Sequence, residues 1–136
     1  MRDNKLKLRK RRDLYTLYKK GLEEGRFSSM RDAGRYICRQ PAPCFYVSPE
    51  FASQLIGRIM ANRSLADMNS SMRRMAARLY SDYKDYLLKH PDTKKSRVSI
   101  MNELVEMPAP EFYMTGDAVR RSLREEINET KKKFGW

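Results

Sequence analysis

The side chains able to do chemistry are few, and their spacing suits it poorly. His90 is the single histidine, and it stands between Lys89 and Pro91 at the end of a helical pattern. General acid–base work needs such a group within hydrogen-bond reach of a reacting atom. The acids Glu23-Glu24, Glu103/Glu106 and Glu125-Glu126 fall on charged helix faces, where carboxylates are ordinarily solvated. No G-x-S-x-G elbow, phosphate-binding loop or dinucleotide fingerprint occurs. Cys38 and Cys44 are the only cysteines, with no C-x-x-C spacing, and one histidine cannot complete a zinc set. These residues predict a protein that is not an enzyme, with no catalytic residue, no metal and no cofactor. Two cysteines also make no disulfide framework, which agrees with a reducing compartment.

Positive charge is the more informative chemistry. Twenty-nine Lys and Arg against seventeen Asp and Glu leave +12 on 136 residues, which biases the partner toward a polyanion. Residues 1–12, "MRDNKLKLRKRR", hold seven basic residues and one acid; Lys5, Lys7, Arg9, Lys10, Arg11 and Arg12 make them a basic arm suited to phosphates. Arg31, Arg35 and Arg39 recur at i, i+4 and i+8, opposite the apolar Met30, Ala33 and Ile37. Arg120, Arg121 and Arg124 cluster further on, and Lys131 to Lys133 open a basic tail, residues 131–136. Residues 1–68 carry net +8, from fifteen basic and seven acidic residues; residues 69–136 carry net +4, from fourteen and ten. No apolar run reaches membrane-spanning length, and the basic start lacks the apolar centre of a secretory signal. The expectation is an intracellular, cytoplasmic or nucleoid-associated protein with no membrane contact.

The elements that would position these charges are written twice. "PAPCFYVSPE" at 41–50 returns as "PAPEFYMTGD" at 108–117, with five of ten positions identical. Upstream, "LYTLYKKGL" at 14–22 lies over "LYSDYKDYL" at 79–87. The pattern predicts an all-α chain built by internal duplication of a three-helix unit, the two copies packed as one body. The first copy covers 13–63, and the second covers 64–130 with a longer first helix starting near Ser70. Leu14, Leu17, Tyr18 and Leu22, and later Leu79, Tyr83, Tyr86 and Leu87, give the apolar stripes of the first helices. Ser29 and Ser96 cap the second helices, with Asp32 completing an S-x-x-D box, and Pro41 and Pro108 end them. The connector then plants Phe45 and Tyr46, or Phe112 and Tyr113, in the core, and Ser48-Pro49-Glu50 or Thr115-Gly116-Asp117 starts the third helix. Matching Cys38 to Val105 and Cys44 to Glu111 predicts a buried Cys38 and a surface Cys44.

Two helices joined by a fixed connector, the later one starting with polar residues, fit a helix-turn-helix-like geometry, although this connector is longer than the usual turn. On that reading Ser53, Gln54 and Arg58 in the first copy, and Arg120, Arg121, Arg124 and Asn128 in the second, reach base edges. Arg31, Arg35, Arg39 and the arm hold phosphates. The function expected is a small nucleic-acid-binding protein, DNA favoured over RNA, of the kind that acts in transcription regulation. Alternatives are a protein-binding or structural assembly module with two docking faces, or an RNA-binding protein.

Overall fold

A computed structural model describes residues 3–134. Six helices account for most of them: α1 (Asp3–Glu23), α2 (Met30–Ile37), α3 (Pro49–Met60), α4 (Ser70–Lys89), α5 (Arg97–Leu104) and α6 (Gly116–Phe134). The chain is all-α; among the described residues the sole extended pairing is an isolated antiparallel bridge, Ala42 to Ala109.

The helix starts obey local chemistry. The Ser29 hydroxyl accepts from the Asp32 N–H at 3.1 Å, Ser48 from Phe51 at 3.1 Å, Ser96 from Ser99 at 3.1 Å and Thr115 from Ala118 at 3.1 Å. Each satisfies one of the orphan donors of a first turn. Asp32 completes its box one residue earlier than expected, accepting from the Ser28 hydroxyl and from the Ser28 N–H. Pro49 takes the first position of α3, where a missing N–H costs nothing. The first helix departs from expectation. Residues 3–12 are not a separate arm but the opening turns of α1, because Lys, Leu and Arg are strong helix formers and no glycine interrupts before Gly21. Residues 1 and 2 of the expected arm, and 135 and 136 of the expected tail, lie outside the described residues.

Packing divides the chain into two compact units, and the division ignores the order of the helices. One unit joins residues 1–41 to residues 110–136; the other is the continuous stretch 42–109. In the discontinuous unit α6 packs on α1 and α2, around Leu14, Ala33, Ile37, Val119 and Leu123. Phe27 stacks on Tyr18 at 6.0 Å and meets Tyr36 edge-on at 5.7 Å, tying α1 to α2. Its ring lies where a side chain on residue 21 would stand: a Cβ on Gly21 would come within 2.2 Å of it. In the continuous unit α3 packs on α4 and α5, around Leu55, Ile56, Met75, Ala76, Leu79, Ile100 and Met101. The expected cuts at 13–63 and 64–130 are therefore not the cuts of the packing. Nor do consecutive second and third helices form a helix-turn-helix: α2 is completed by α6, and α5 by α3. Burial between helices far apart in sequence therefore decides the partnership within each unit.

The connectors show how. In Pro41-Ala42-Pro43 and Pro108-Ala109-Pro110 the alanine is the one residue with an N–H to offer. Ala42 and Ala109 spend theirs on each other, in two reciprocal bonds of 2.9 Å, and the flanking prolines stop the ladder there. The Phe45 N–H then donates to the Val105 carbonyl at 2.9 Å. Phe45 and Phe112 are 3% and 1% exposed, as expected, whereas Tyr46 and Tyr113 are only half-buried. Both tyrosines take left-handed backbone angles, φ 55° and 57°. Cys44 is buried and Cys38 is half-exposed, the reverse of expectation. In the connector Ala42, Cys44 and Phe45 are all buried, so Cys44 belongs to the core with Phe45.

Candidate nucleic-acid interface

The unit of α1, α2 and α6 holds most of the charge. Residues 1–41 and 110–136 contain nineteen basic and ten acidic residues, net +9; residues 42–109 contain ten and seven, net +3. Gathering α6 onto α1 and α2 brings together groups that are far apart in sequence: the basic turns of α1, the α2 stripe and the α6 arginines.

The two units also differ in how their cations are used. In residues 42–109 most arginines are tied down. Arg58 donates to the Ser64 carbonyl and to Asp67 at 2.8 Å, which holds the Asp67 carboxyl below its usual range. Arg97 donates to the Ser53 hydroxyl at 3.0 Å, Arg78 to Asp82 at 3.1 Å and Arg74 to the Ser70 hydroxyl at 3.0 Å; Arg73 reaches the Met68 carbonyl. In the other unit, Lys5, Lys7, Arg12, Arg31, Arg35, Arg39, Arg121 and Arg124 are exposed, and among the described residues their side chains have neither ion pair nor hydrogen bond. Lys131 and Lys132 are likewise exposed at the end of α6, where cations also favour the helix dipole.

Several expected contact residues turn out otherwise. Ser53 is 6% exposed and accepts from Arg97, so it is a buried lock between α3 and α5 and cannot read a base. Arg58 is occupied by the loop that follows α3. Gln54 is exposed but stands in the unit of lower charge. Arg11 is only 13% exposed and pairs with Glu126 at 2.9 Å and Glu125 at 3.5 Å, making it an anchor of α6. Arg120 is half-buried and pairs with Asp117 at 3.2 Å, one turn back. Arg9 and Lys10 also have partners within the structure. Arg121, Arg124 and Asn128 remain exposed on α6. Sequence periodicity could not reveal the Arg97–Ser53 lock, since its members are 44 residues apart.

A cleft of about 320 Å³ opens between α2 and the start of α6, lined by Arg31, Arg35, Thr115, Gly116 and Asp117. Among the described residues no group of three His, Cys, Asp or Glu could hold a metal, and no helix is long and apolar enough to cross a membrane. No protein-family model, curated protein or solved structure matches the chain.

Proposed function

We propose that this is a non-enzymatic nucleic-acid-binding protein whose α1–α2–α6 unit lies against the phosphates of duplex DNA. The observation that carries this reading is the uneven distribution of cations: most of those without internal partners lie on one unit, while the other ties five of its six arginines to its own groups. Phosphate neutralisation needs uncommitted Lys and Arg, because an internally paired guanidinium must first break its own bond. Arg31, Arg35 and Arg39 serve as positioners, with Lys5, Lys7 and Arg12. Arg121, Arg124 and Asn128 on α6 are the groups for base edges. The two P-A-P-x-F-Y phrases are read as an internal duplication, supported by their matching caps and by the left-handed φ that Tyr46 and Tyr113 share.

Salt titration tests the function. Log affinity for duplex DNA should fall linearly with log salt, by about 0.9 per phosphate neutralised. Deleting residues 1–8, which spares the Arg11 anchor, should reduce both affinity and slope. A shallow slope unchanged by the deletion would count against the proposal and favour a protein partner.

A further inference from the structure

The groove between α1 and α2 is selective for one helix sequence. A Cβ on Gly34 would stand 2.5 Å from the Gly116 carbonyl oxygen, so α2 and the first residue of α6 meet backbone to backbone. Deeper along α1, the largely buried Arg11 guanidinium requires an acid and finds Glu126 at 2.9 Å and Glu125 at 3.5 Å. The other third helix could not serve. Aligned on the two phrases, α3 carries Pro49 in place of Gly116, Arg58 in place of Glu125 and Ile59 in place of Glu126. Like charge, Arg58 against Arg11, excludes it, and exclusion is half of specificity.

The occupant also reaches its unit by way of residues 42–109 and not directly from α2. Unit 42–109 is complete without α6, and α6 packs on α1 and α2 alone among the helices. The link into α6 passes through Tyr113, held at φ 57°, a conformation that side chains other than glycine adopt at a cost. Strained hinges before a detachable element favour its exchange between copies. We propose that the α1–α2 groove also binds the α6 of a second copy of this chain, giving a closed two-chain assembly in which each α6 completes the other chain's unit. The partner is a second copy because it supplies the same Gly116, Glu125 and Glu126, so every contact within the unit is reproduced. This inference does not depend on nucleic-acid binding.

Charge reversal in the full-length chain tests it. Arg11→Glu alone, or Glu125→Arg with Glu126→Arg alone, places like charges face to face inside each molecule. Mixed and annealed through mild denaturant, the two variants find complementary charges only between chains, and they do so in both grooves. Light scattering should show a species of twice the monomer mass, about tenfold more abundant in the mixture than in either variant alone. The chain carrying all three substitutions should return to a folded monomer, because complementarity is again internal. A mixture that stays monomeric beside a folded triple variant would overturn the proposal. A measurement free of variants uses isotopically light and heavy wild-type pools, annealed together at high concentration. Native mass spectrometry should then show mixed two-chain species, and monomers alone at every concentration would be decisive against exchange.

Discussion

At the scale of single residues, burial separates what the two phrases share from where they differ. Phe45 and Phe112 are almost wholly buried, so Phe45→Ala and Phe112→Ala should each cost roughly 3–5 kcal/mol, read from the denaturant midpoint. Asp32 sets a different kind of residue-scale prediction. Its carboxyl is held below the usual range, first by the Ser28 hydroxyl and then by the Ser28 N–H. An acid whose folded pKa is depressed adds stability above its unfolded pKa and loses it as pH falls through the folded value. Acidification from about pH 5 to below about 3 should therefore loosen the start of α2. Asp32→Asn should remove that step, with amide exchange at Ser28 as the readout. Four of the expected contact residues and both cysteines differ from expectation at this scale for one reason: exposure and pairing are set by partners that helical periodicity does not show. Ser53, Arg58, Arg11, Arg120 and the two cysteines all look equivalent to surface or core neighbours until Arg97, Asp67, Glu126, Asp117 and the connector are in place.

At the scale of helices, local rules were legible and partnership was not. Caps at Ser29, Ser48, Ser96 and Thr115, and the start of α4 at Ser70, follow from side chains within a turn of the helix end. The pairing of α2 with α6 depends on Gly34, where a Cβ would meet the carbonyl of Gly116 82 positions on, and no periodicity encodes it. Apolar stripes also reach too far at their ends: Leu22 is 50% exposed and Leu87 37%. If α6 is the base-reading element, Arg121→Ala or Arg124→Ala should relax preference at particular base pairs, at about 1–3 kcal/mol each. Arg31→Ala, Arg35→Ala or Arg39→Ala should weaken all sequences alike, since phosphate contacts carry no base information. Random-sequence selection on the wild type, then competition binding of the variants, distinguishes the two classes. A selection that enriches no site would remove the reader role from α6.

At the scale of the molecule, continuity of chain distinguishes the units. Fragment 42–109 contains every helix of its unit, so it should fold alone, with helical circular dichroism and a cooperative melt. Fragment 1–63, a full copy by sequence, contains α3 without α4 and α5, and it should not melt cooperatively as a monomer. Equal cooperativity in the two fragments would contradict the division of the packing. The discontinuous unit has a consequence for synthesis. A chain made from its N-terminus completes residues 42–109 while α1 and α2 still wait for α6, so the first helices made are the last to be covered. At about 5–20 residues per second, Ile37 precedes the end of α6 by roughly 5–20 s. Fragment 1–109, which lacks α6, should therefore protect residues 42–109 from protease while residues 1–41 remain open to cleavage. During that interval the apolar face of Leu14, Ala33 and Ile37 is available to whatever holds unfinished chains at the ribosome.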